Sequence, residues 1–156
     1  METNTLTYEN LKLAISKFTD DFIETYKSIL ISDGKVASGN LVKSIHRKPT
    51  TKEDDRIYGE ISIADYWKYV EYGRKPGNFP PPDAMLAWVK TKNILPRPQN
   101  GLRQPTQEQI AFLIGRKIAQ YGIEPGGQYA EAMEITWRKH EPLINRAIQL
   151  DIEAAV

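Results

Sequence analysis

The chain has 156 residues, 40% hydrophobic and 26% charged, which is the balance of a globular protein rather than a disordered one. It contains no cysteine, so disulfides, thiolate metal ligands and cysteine nucleophiles are excluded. The net charge is only +1, but residues 1–34 carry three lysines against six acids, residues 35–105 thirteen Lys/Arg against seven, and residues 106–156 five against seven.

A chain of this length predicts a single domain, 1–156. Met1-Glu2-Thr3-Asn4 has no basic n-region and no apolar h-region, and no apolar run approaches the roughly 20 residues of a membrane span. Synthesis in the cytoplasm, with no membrane partner, is the expectation.

Thr7 before Tyr8-Glu9-Asn10 reads as a helix start with a hydroxyl cap. Leu11, Ile15, Phe18, Phe22, Tyr26 and Ile29 then recur at three and four residues, a single apolar stripe on a helix of about 25 residues. Asp33-Gly34 stops it. A short helix over Leu41 to Ser44 follows, with Ser38 or Asn40 as its cap. Arg47 to Asp55 is polar, with Pro49, and reads as a loop or hairpin tip. Ile57, Gly59, Ile61 and Ile63 alternate with Arg56, Tyr58, Glu60 and Ser62, the period of a strand with one wet face. Ile45 to Lys48 is its expected antiparallel partner across the 49–55 loop.

From Ala64 a short helix or turn carries Tyr66, Tyr69 and Val70, and Gly73 ends it. Asp83 is the expected N-cap of a helix over Ala84 to Lys92, buried through Met85, Leu86 and Val89 with Trp88 and Lys92 at its edge. Residues 95–105, with Pro96, Pro98, Gly101 and Pro105, read as an extended Pro-rich arm. Thr106-Gln107-Glu108-Gln109 is a capping box opening a helix with Ile110, Leu113, Ile114, Ile118 and Tyr121 inward. Gly122 closes that helix. A last helical segment, 128–156, holds a helix from about Gln128 to Ala154, which Pro142 is able to kink or split. The fold class that follows is α+β: a long N-terminal helix and C-terminal helices packed on a small antiparallel sheet, with extended Pro-rich loops.

No catalytic constellation can be assembled from these residues. His140-Glu141 begins like a zincin motif, but no second histidine follows four residues on, and His46 has no ligand partner at metal spacing. Both histidines read as surface residues. Asp20-Asp21 lies on the wet face of the first helix, and Asp54-Asp55 lies in a polar loop; neither has a third carboxylate. No phosphate-binding glycine loop and no nucleophile elbow is present. No enzyme activity, cofactor or metal is therefore expected. The basic excess of the middle segment makes Arg47, Lys48, Arg74 and Lys75 the candidate DNA-facing residues.

Tyr66, Trp67, Tyr69 and Tyr72 crowd into seven residues before the turn Gly73-Arg74-Lys75-Pro76-Gly77 and the stiff run Phe79-Pro80-Pro81-Pro82. Tyr and Trp give large contact area for little entropy loss, which suits a protein interface. The candidate interface residues are accordingly Tyr66, Trp67, Tyr69, Tyr72, Gly73, Arg74, Phe79, Pro80, Pro81, Pro82 and Trp88.

The order of these features resembles the tail-completion and head–tail joining (neck) proteins of tailed bacteriophages, the minor tail protein Z type among them. The resemblance rests on Ser38-Gly39-Asn40-Leu41-Val42-Lys43-Ser44, on Tyr66 to Arg74, on Pro80 to Pro82 and on Ala87-Trp88-Val89-Lys90-Thr91-Lys92. The helix Ile110 to Tyr121, Gly122, then Pro125 and Gly126 fits the family's step before its last helix. The Pro-rich stretch 95–105 and an extended C-terminal helix depart from the pattern. The resemblance implies a non-enzymatic virion subunit, assembled in the host cytoplasm. It would form a homo-oligomeric ring of six or twelve copies between portal or connector and tail; the basic turn Gly73 to Gly77 is what would give such a ring transient contact with packaged DNA. The alternative is a small DNA-binding or regulatory protein that uses the basic middle region.

Overall fold

The structure, a computed structural model, describes residues 7–34, 39–96, 101 and 103–156. The elements run α1 (Glu9–Ser32), α2 (Asn40–Ser44), β1 (His46–Arg47), β2 (Thr51–Glu53), β3 (Arg56–Tyr58), β4 (Ile61–Ser62), α3 (Trp67–Tyr72), α4 (Pro82–Thr91), α5 (Gln107–Tyr121) and α6 (Gln128–Ala154). This is the expected α+β arrangement of long terminal helices with a small antiparallel β region. The Ser38 cap lies outside the described residues, as do residues 97–100, Pro98 among them, and 102 of the 95–105 arm; Gly39, at φ 76°, is the N-cap of α2.

The apolar stripe of α1 meets α6 running antiparallel to it. Phe22, Ile23, Tyr26 and Leu30 are buried there with Leu41, Ile45 and Ala132, and Trp67, Val70, Tyr129 and Met133 pack around them. Phe22, Tyr26 and Tyr129 form a set of ring contacts with centroids 5.0–5.8 Å apart. Burial and the neighbouring Glu71 charge push the Tyr26 phenol up to about 12. A second core joins α4 and α5: Met85, Val89 and Ala111 are buried beneath Leu86, Ile94, Ile110, Ile114 and Ile118.

The β region is one hairpin broken in the middle. β1 pairs with β4, His46 opposite Ser62 and Arg47 opposite Ile61. β2 pairs with β3, Thr51 opposite Tyr58 and Glu53 opposite Arg56. Three residues of the expected 49–55 loop, Thr51 to Glu53, are thus strand, and the hairpin tip is Asp54-Asp55, with Asp54 at φ 51°.

The structure corrects the helix starts. Thr7 does not cap α1; the N-cap is Tyr8, at φ 57°, and its side chain makes no capping bond. Instead the carboxylate of Asp151, from the far end of α6, accepts the N–H of Asn10 at 3.0 Å and of Leu11 at 2.9 Å. The amide of Asn10 adds a third bond at 2.8 Å. In α4, Pro81 takes the N-cap position, Pro82 opens the first turn and Asp83 lies inside it, because proline's fixed φ suits a helix start. The capping box of Thr106 and Gln109 forms as expected. On α5, however, Ala111 and Gly115 are the buried residues, and Leu113 and Tyr121, expected inside, face solvent. Pro142 sits within α6 without ending it.

The histidine and aspartate expectations also change. His140 is buried rather than superficial, 4% exposed, with its Nε2 2.8 Å from Asp21 Oδ2. Lys139 Nζ reaches the same oxygen at 2.5 Å. Asp21 therefore meets α6 while remaining partly exposed, and Asp20 pairs with Arg47 at 2.9 Å.

The bonds from Lys139 and His140 hold the Asp21 carboxyl below its usual value of 3.8. For Asp151 burial acts upward, but the donors of Leu11 and Asn10 prevail and lower it too. A carboxylate whose folded pKa is depressed contributes stability above its unfolded pKa and loses it as pH falls through the folded one. Urea melts should therefore show stability flat near neutrality and declining below about pH 4. Asp151→Ala should cost about 1–2 kcal/mol at pH 7 by removing the distant cap, a deficit that shrinks in acid.

Candidate functional site

The aromatic segment is sorted by the single turn of α3. Trp67, Val70 and Glu71 turn inward; Tyr66, Tyr69 and Tyr72 are 44%, 60% and 68% exposed. Glu71 is 4% exposed and its carboxylate accepts the N–H of Tyr129 at 2.7 Å and of Ala130 at 3.1 Å. It is the cap of α6, whose own N-cap, Gly127, has no side chain to offer. The carbonyls of Val70 and Glu71 each accept the Gly126 N–H at 3.0 Å, so α3 is fastened to the start of α6 by both side chain and backbone.

After α3 the chain turns back along α5. Arg74 and Ile123 form an antiparallel bridge, N–H to carbonyl at 2.9 and 2.7 Å, and Gly77 N–H donates to Ala119 at 2.8 Å. Gly73, at φ 69°, makes this approach possible: a Cβ there would run into the Ile123 carbonyl oxygen and lie 2.8 Å from Pro125 N. Gly122, at φ 79°, is held against the Arg74 carbonyl from the other side.

This fastening creates a groove of about 620 Å³ between α3, α4 and the α5–α6 connection. Tyr66, Tyr69 and Val70 line one wall, Met85 and Trp88 the other, and Ile118 and Ile123 lie along it. Asp33, Glu124 and Lys92 stand at its edge, with Lys92 Nζ 3.3 Å from the Gly34 carbonyl. Trp88 is 39% exposed, so the groove is apolar and open. Such surface, rimmed by polar groups, is characteristic of a contact site.

The predicted interface residues thus divide. Tyr66, Tyr69 and Trp88 come together around the groove. Trp67 belongs largely to the interior, its ring 5.1 Å from Tyr129 and 6.0 Å from Tyr72. Phe79 stacks on Phe112 at 5.5 Å and lies over Gly115, anchoring the proline loop to α5. Pro80 is buried behind it, while Pro81 and Pro82 are exposed and start α4. Gly73 shapes the turn, and the Arg74 guanidinium donates to the Asn78 carbonyl at 2.7 Å, inside its own loop.

The candidate DNA-facing residues are not gathered into one surface. Arg47 bonds Asp20 and donates to Ser16 Oγ at 2.7 Å; Lys48 pairs with Glu60 at 3.4 Å, and Lys75 is exposed on the Arg74 loop. Among the described residues there is no group of three His, Asp or Glu placed to hold a metal ion. No described helix is long and apolar enough to cross a membrane. Sequence reasoning missed Ile118, Ile123 and Glu124 as parts of the groove, since they come from the segment fastened there by the Arg74–Ile123 bridge, and Asp33, which comes from the end of α1.

Comparison with protein-family models, with curated proteins and with solved structures finds no match.

Gly73→Ala tests the bridge. The added methyl meets backbone on three sides at an unfavourable φ, and the loss should be about 3 kcal/mol. Calorimetry should show melting lowered by about 10 °C. Tyr69→Ala, at an exposed position, should shift stability by less than about 0.5 kcal/mol.

Proposed function

We propose that this chain is a non-enzymatic virion subunit that forms a ring at the phage head–tail junction or tail terminus, joining portal or connector to tail. The observation that carries the reading is the exposed groove in which Tyr66, Tyr69 and Trp88 converge. Large aromatics held open on a rigid frame are the usual anchors of protein interfaces, because they bury much area with few rotamers to freeze. The groove walls are rigid for a stated reason: the Glu71 cap and the Arg74–Ile123 bridge fix α3, and Phe79 fixes the loop before α4. The resemblance of Tyr66 to Arg74 and of Ala87 to Lys92 to phage neck proteins supports a ring as the kind of assembly. Of the four candidate DNA-facing residues, Arg47 and Lys48 are paired with acids within the chain, which supports transient rather than dedicated DNA contact.

The test is the mass of the purified protein by light scattering, with negative-stain imaging, alone and mixed with phage particle extracts. Closed rings, or subunits recruited to necks or tail ends, are the expected result. Tyr69→Ala should stay folded and lose that association. A subunit that ignores particles and binds DNA with steep salt dependence would replace this reading with the DNA-binding one.

A further inference from the structure

Apart from Phe112, whose ring stacks on Phe79, the outer face of α5 is turned to solvent, and it carries features that match the groove. On a helix of 3.6 residues per turn, Phe112, Leu113, Arg116 and Lys117 share one side. Phe112 is 58% and Leu113 48% exposed, and Arg116 and Lys117 are exposed and form no ion pair among the described residues. The acidic residue of α5, Glu108, lies in its first turn beside Phe112, where both line a small pocket with Asp83; farther along the face, next to Leu113, the charges are Arg116 and Lys117. The groove has the opposite bias, with Asp33 and Glu124 at its edge against Lys92.

We propose that the outer face of α5 in one copy of the chain docks into the aromatic groove of the next copy. Leu113 enters between Tyr66, Tyr69 and Trp88. Arg116 and Lys117 lie over these rings and reach Asp33 and Glu124, combining cation–π contact with charge pairing. The two faces belong to one helix: Ile118 lines the groove while Leu113 looks away from it. They therefore point in different directions, and each docking leaves one groove and one α5 face unused. That is a heterologous interface, which grows until the rotation per copy closes it into a ring. The inference deepens the ring reading by naming its two faces, but does not need the ring to be part of a virion.

Two double variants test it, each sparing one face. The first is Leu113→Asp with Arg116→Glu; the second is Tyr69→Ala with Trp88→Ala. The wild-type mass should rise with concentration and fall back at high salt. Each variant alone should associate at least tenfold more weakly. Their equimolar mixture should yield a one-to-one heterodimer and nothing larger, because only one intact face remains on each partner. Circular dichroism checks that both variants fold; if either does not, the exposed single changes Lys117→Glu and Tyr69→Ala replace them with the same expected pattern. A wild type that stays monomeric to about 1 mM overturns the pairing. So does a mixture that remains monomeric, or a first variant that assembles like wild type. Heterodimers from the mixture, with no recruitment of wild type to particles, keep the pairing and discard the virion reading. A wild-type monomer recruited to particles, but not after Tyr69→Ala with Trp88→Ala, assigns the groove to a different protein and overturns the pairing alone.

Discussion

Two carboxylates that lie far along the chain from the helices they cap hold this structure together. Glu71, in α3, takes the first free N–H groups of α6, and Asp151, near the end of α6, takes those of α1. A helix start leaves four backbone donors unpaired and a partial positive charge, and a buried start without a partner would be costly. Tyr8 and Gly127, the local N-caps, provide no side-chain bond. The long helices are thus completed only when the chain has come together, which ties their formation to tertiary packing.

One of these caps also helps to set the register of the α1–α6 pair. Asp151 fixes the start of α1 against the end of α6, and Gln128 Nε2 donates to Asp33 at 3.1 Å at the other end. Between them Asp21 takes His140 and Lys139. Polar contacts at both ends and the middle of an antiparallel pair leave the apolar stripes one way to interlock. Buried polar groups act here on specificity as well as on stability, since a slip would leave His140 and Asp151 buried and unpaired.

The groove is a consequence of that frame. Glu71 must point inward to cap α6, and one helical turn then obliges Tyr66, Tyr69 and Tyr72 to point away from the core. The Arg74–Ile123 bridge draws the α5–α6 connection beneath them, and Phe79 holds the proline loop on α5 so that α4 begins in the right place. An aromatic cluster that would otherwise collapse inward is kept open, because one residue of the same short helix is committed elsewhere. The stabilising contact and the exposed surface are two sides of one six-residue helix.

Local patterns in the sequence determined the parts whose causes are local. The apolar period of α1, the Thr106–Gln109 capping box, the Gly122 stop and the extent of α6 past Pro142 all rest on residues within a few positions of one another, and the structure contains each; the strand expected over Arg56 to Ile63 is instead split into β3 and β4, without alternating burial. The convergence of Tyr66, Tyr69 and Trp88 was legible as composition, though not as a groove. Only the tertiary structure decided which carboxylates cap which helices, that His140 is inside, that Thr51 to Glu53 is strand, and that α5 buries Ala111 and Gly115 while Leu113 faces out. These depend on partners as far as 141 residues away, as Asn10 is from Asp151. A hydrogen bond or a packing face made across that distance leaves no periodicity in the sequence, because the geometry that selects it exists only once the helices are packed.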